Sequence, residues 1–135
     1  MALEEDRTTR DYLYGRLLAI ADSIEGYSLK QAGENRETTA ARLMQRFADR
    51  PFSTWRNIEL GLTPYKARLR SSEKGGGFLW KREKLLDEIL CRFQPDDFTS
   101  DRALSAEFLL GYHCQRAALL RGAEPAADDD QLTTE

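Results

Sequence analysis

No apolar run in this 135-residue sequence approaches the roughly twenty residues that a bilayer-spanning helix needs, so none is expected. The opening residues, MALEEDR, are acidic and lack the apolar stretch of a secretory leader. Only two cysteines, Cys91 and Cys114, and one histidine, His113, are present. Both cysteines fall inside helical patterns and make no disulfide framework, so they read as reduced, buried thiols of a cytoplasmic protein. A zinc site from Cys91, His113 and Cys114 would lack a fourth ligand and would draw two of its three from adjacent positions, so no metal is expected. Period-2 alternation is absent from every strand-length window, which argues against a sheet. The one glycine cluster, Gly75–Gly77, follows no strand and is therefore no phosphate or dinucleotide loop. No nucleophile has a visible base and orienting partner. Catalysis, a cofactor and a small-molecule substrate are all unexpected.

What the chain does have is helical periodicity. Thr8 or Thr9 can cap a first helix to about Glu25, with Leu13, Leu17, Ile20 and Ile24 on one face and Gly26 as its stop. Tyr27 to Glu37 reads as a loop with one helical turn. A second helix from Thr38 or Thr39 to Asp49 packs with Leu43, Met44 and Phe47, and Pro51 opens a third. That third helix buries Phe52, Trp55, Ile58 and Leu62, and Pro64 should kink or interrupt it before Tyr65 and Leu69. The stretch SSEKGGG, Ser71 to Gly77, reads as a flexible loop. A fourth helix spans Phe78 to Phe93, and Pro95 with Asp96 and Asp97 turns the chain into the last, Leu104 to Gly122. Ser105 suits its N-cap and Gly122 its end. Its wide apolar stripe, Leu104, Phe108, Leu109, Tyr112, Leu119 and Leu120, makes it the expected organiser of the fold. The fold class is thus all-α: one bundle of about five helices over residues 1–122, then a disordered acidic tail over 123–135 that stays in solvent.

Net charge is −3, yet it is unevenly distributed. Residues 36–84 carry twelve basic and five acidic side chains, whereas residues 1–35 carry four and seven. The tail from Glu124 has five acids and no base. A polyanion meets the distribution of charge and not its sum. Arg42, Arg46 and Arg50, spaced by four, would form one ridge on the second helix. Lys66, Arg68 and Arg70 lead into the glycine cluster with Lys74, and Lys81, Arg82 and Lys84 leave it. Arginine outnumbers lysine fifteen to five, and its planar fork matches phosphate oxygens in pairs. Any one of these cations could equally belong to a solvated face. Tyr65, Phe78 and Trp80 flank the cluster and could stack on unpaired bases, while Phe52 and Trp55 read as core.

Three segments carry a resemblance. RDYLYGRLLAIADSIE (Arg10 to Glu25), RPFSTWRNIELGLTPYKARL (Arg50 to Leu69) and FLLGYHCQR (Phe108 to Arg116), in that order, resemble the C-terminal helical region of the large subunit of type I-C CRISPR surveillance (Cascade) complexes. In that family the region is also made as a separate small subunit from an internal start. The resemblance implies a subunit of an RNA-guided, DNA-targeting complex. Its implied partners are the CRISPR backbone and large subunits, other copies of itself, the displaced non-target strand and the paired guide–target complex. Two other readings stand beside it. One is a protein scaffold without DNA contact. The other is a stand-alone helical DNA-binding regulator, for which no clear recognition helix is visible.

Overall fold

The computed structural model describes residues 2–123. Among them are seven helical segments and no strand. These are α1 (Arg10–Gln31), α2 (Thr39–Arg42), α3 (Met44–Asp49), α4 (Pro51–Gly61), α5 (Thr63–Arg70), α6 (Glu73–Leu90) and α7 (Glu107–Ala123). They amount to the five expected helices with two of them broken, the second at Leu43 and the third at Leu62. Pro64 sits in the first turn of α5, where its missing amide costs nothing. None of the described helices is long and apolar enough to cross a membrane. The acidic tail lies, from Glu124 onward, outside the described residues.

The organising helix is α1 and not the last one. Fifteen of its 22 residues are buried, on every side of the helix. Such a helix forms the centre of a small bundle, with each neighbour covering one stripe of it. The expected face of Leu13, Leu17, Ile20 and Ile24 is buried, and so are Tyr12, Tyr14, Leu18, Ala19 and Ala21 on the others. Most of its neighbouring surface comes from α7. The two approach so closely because each offers a glycine at the crossing. A Cβ on Gly15 would lie 2.0 Å from the Phe108 carbonyl oxygen, and one on Gly111 would lie 2.2 Å from that of Tyr12. By contrast, Leu109 and Leu120 of the expected α7 stripe are exposed, because α7 has α1 on one side only.

Gly26 does not stop α1, which continues through Tyr27, Ser28 and Leu29 to Gln31. Burying Leu29 and stacking Tyr27 on Phe78, ring centres 4.0 Å apart, outweighs the modest helix penalty of one glycine. The stop comes at Gly33, whose φ of 72° suits a residue without a Cβ. Nor is Ser71 to Gly77 a flexible loop. Ser72 caps α6, its hydroxyl accepting from the Gly75 amide at 3.0 Å, and all three glycines are helical. Gly75 lets α6 turn tightly off α5, since a Cβ there would meet the Leu69 carbonyl oxygen at 2.5 Å.

Two buried charges tie the loops to α1. Arg10 donates to the carbonyl oxygens of Asp97, Ser100 and Arg102 at 3.1, 3.0 and 2.6 Å, pinning the connection before α7. Glu25 accepts from the Thr39 amide at 3.0 Å and so caps α2. Asp101 caps a helix distant in sequence, accepting from the Ser53 amide in the first turn of α4 at 2.9 Å. Those Ser53 hydrogen bonds hold its carboxyl below the ordinary aspartate range.

Candidate nucleic-acid interface

The ten basic residues singled out by the sequence divide by what they touch. Arg42, Arg46 and Arg50 are exposed, and no acid lies within ion-pair distance of them among the described residues. They do not share one helix. Arg42 ends α2, Arg46 lies in α3, and Arg50 sits at the α3–α4 junction with φ −142° and ψ 77°. The break at Leu43 turns the expected continuous ridge into three cations on successive short turns.

The cations of α5 are occupied. Glu83 of α6 pairs with both Lys66 at 3.3 Å and Arg70 at 3.4 Å. Arg68 pairs with Glu34 at 3.1 Å, donates to the Ser28 hydroxyl at 3.0 Å and lies over the Tyr65 ring. These three side chains mainly fasten α5 to α6 and to the end of α1.

Cations on α6 behave differently. Lys74, Lys81 and Lys84 are exposed, with no acid partner among the described residues. At 100° per residue all three fall within about a third of the helix circumference, together with Trp80. Trp80 is 63% exposed, and the Lys84 ammonium sits 5.3 Å from its ring centre. An exposed tryptophan beside an ammonium gives a base a stacking surface and its phosphate a counter-charge. Glu73, Asp87 and Glu88 border this face at its two ends. Of the other suspected aromatics, Phe78 is covered by Tyr27 and Tyr65 by Arg36 and Arg68, so neither presents a free ring. Trp55 is buried in the core, as its helical spacing predicts, whereas Phe52, expected there too, is only half-buried, its ring packed edge-on against Phe98.

Arg82 belongs to neither group. It is half-buried, its Nε donates to the Ser23 hydroxyl at 3.0 Å, and its guanidinium lies over Phe78. Loss of hydration lowers its pKa from the ordinary arginine value. It lines a groove floored by α1 and walled by α6 and α7, which also draws in Lys30 and Arg116. Sequence reading passed over those two, because both sit in segments whose local charge balance is negative. Only the packing of α7 and α6 on α1 brings them together with Lys81 and Arg82.

The ridge and the α6 lysines are not one contiguous patch by construction. α2 and α3 pack mainly on α1 and α4, whereas α6 packs on α5 and α1. Cys91 is exposed and Cys114 buried, so the two thiols differ from the matched pair expected. His113 is exposed beside Tyr112, on the outer side of α7.

The chain has no match among curated proteins. A family model described as CRISPR-associated protein (Cas_Csd1) matches residues 1–120, which takes in every described helix but the last turn of α7. That coverage includes the core of α1, the α1–α7 glycine crossing and all ten basic residues. The chain therefore belongs to the Cas_Csd1 family of CRISPR-associated proteins, found in type I-C systems.

Proposed function

We propose that the chain is a non-catalytic, cytoplasmic small subunit of a type I-C RNA-guided DNA-targeting complex, where it holds the displaced non-target strand without reading its sequence. It would sit beside the backbone and large subunits, in contact with further copies of itself and with the guide–target duplex. The observation that carries this reading is six exposed cations, Arg42, Arg46, Arg50, Lys74, Lys81 and Lys84, with no acid partner among the described residues. Trp80 adds a sequence-blind stacking surface. Strand exchange between guide and duplex is nearly balanced, so a few backbone contacts are enough to favour the opened state.

If about five phosphates are neutralised, the log–log salt slope for single-stranded DNA is about −3.5. Affinity then falls by roughly a hundredfold between 50 and 200 mM salt. Replacing Arg42, Arg46 and Arg50 together by glutamine should make the slope shallower by about 2 while helical content stays constant. A parent protein whose binding ignores salt would end the strand-holding reading. The scaffold reading draws on a different observation, the exposed Leu60, Leu109 and Leu120, which suit packing against another protein. Complexes that assemble normally with the six cations neutralised, yet open duplex DNA as well as the parent, would favour it.

A further inference from the structure

The groove between α1, α6 and α7 holds four cations, Lys30, Lys81, Arg82 and Arg116, against a single acid, Asp22. Asp22 is already engaged as an acceptor from the Thr38 hydroxyl. Arg82 is the unusual member. A half-buried guanidinium normally has a carboxylate, because partial loss of hydration is otherwise uncompensated. Here no carboxylate lies within 4.0 Å among the described residues. The Nε is fixed by Ser23, and the guanidinium carbon sits 4.3 Å from the centre of a Phe78 ring that is itself stacked on Tyr27. The side chain is thus held in place while neither Nη atom has a hydrogen-bond partner among the described residues. A fork immobilised in this way, among three further cations, is built for an anion with paired oxygens.

We propose that this groove seats the phosphate backbone of a single DNA strand, with the Nη atoms of Arg82 holding one phosphate and Lys30, Lys81 and Arg116 its neighbours. The proposal rests on the strand-holding reading and adds a binding site with residues outside the basic middle. A strand is favoured over an acidic peptide by what adjoins the groove. Lys81 lies on the groove and also on the α6 face that carries Lys84 and Trp80, so the cationic track leads from the groove to a surface that can stack a base. An acidic peptide would use the charges but not the exposed ring.

The test uses the full 135-residue chain and a fluorescein-labelled oligo-dT strand, followed by anisotropy from 50 to 200 mM salt. Lys30→Gln with Arg116→Gln removes two exposed cations and should leave helical content unchanged. The expected result is a salt slope shallower by about 1.4, two contacts at about 0.7 each. Arg82→Lys keeps the charge but loses the fork, and should weaken binding with the slope almost unchanged. A parental slope in the Lys30→Gln/Arg116→Gln protein, with a flattened one in the Arg42, Arg46 and Arg50 variant, overturns the groove and leaves strand holding intact. No salt-dependent binding by the parent overturns both. Displacement of the strand by polyglutamate as readily as by unlabelled oligo-dT overturns the choice of a nucleic acid and assigns the groove to acidic peptides.

Discussion

Helices α5 and α6 come from the same basic stretch and pack side by side, yet their cations meet opposite fates. Lys66, Arg68 and Arg70 of α5 are drawn into ion pairs with Glu83 and Glu34. Lys74, Lys81 and Lys84 of α6 are exposed, with no acid within ion-pair distance among the described residues. The difference is geometric. One carboxylate, Glu83, projects toward α5 and serves two of its cations, leaving the opposite side of α6 with the charge that the stretch has in excess. A count of charge over a segment therefore overstates what a phosphate backbone can meet, by about the number of cations that neighbouring helices claim.

A deeper contrast lies between this surface and the α1–α7 crossing. At the crossing, backbone meets backbone and no side-chain volume can be added. The largest expected effect is therefore Gly15→Ala, whose Cβ has no room beside Phe108 and should cost about 3 kcal/mol through overpacking. Urea unfolding followed by circular dichroism measures it, and a loss below about 1 kcal/mol would mean that the two helices part easily.

Next comes the pair of triple substitutions that sets α6 against α5. Glutamine at Lys74, Lys81 and Lys84 should make the salt slope for oligo-dT shallower by about 2. The same change at Lys66, Arg68 and Arg70 should leave the slope at the parental value and cost stability instead, since the exposed ion pairs involved are each worth at most about 1 kcal/mol. Equal slopes in the two variants would erase the distinction between occupied and available cations.

The smallest effect concerns the glycine cluster. A Cβ at Gly77 has nothing within 4 Å, and the residue lies inside α6. Gly77→Ala should raise stability by about 1 kcal/mol, the helix-propensity difference between the two residues. Thermal unfolding checks this, and a destabilised Gly77→Ala protein would restore the loop that the sequence suggests. Gly75→Ala, with the Leu69 carbonyl oxygen in the way, should change stability in the opposite direction.

Much of the fold was legible from residue patterns. The spacing of Leu13, Leu17, Ile20 and Ile24 marks α1, Thr38 caps α2 with its hydroxyl on the Ala41 amide, and Pro51 and Pro64 mark where α4 and α5 begin. These are local signals, carried by one or two residues acting on their own backbone. Glycine misled twice, at Gly26 and at Gly75–Gly77. A glycine weakens a helix by only about 1 kcal/mol, which buried neighbours such as Leu29 and Leu79 readily offset. The candidate site was half legible. Six of the ten expected cations are exposed without an acid partner among the described residues, but nothing in the sequence separated them from Lys66, Arg68 and Arg70. Lys30 and Arg116 carried no signal, since 86 positions of chain part them and neither lies in the basic middle.

The helical class, the sites of several helix starts and the concentration of positive charge in residues 36–84 follow from the chain's own order, because capping, proline geometry and side-chain periodicity act within a turn or two. The centrality of α1, the break-up of the arginine ridge and the choice of which cations stay free depend on packing between helices distant in sequence. Burial and ion pairing are settled by which surfaces meet, and at the α1–α7 crossing two glycines set how closely they do.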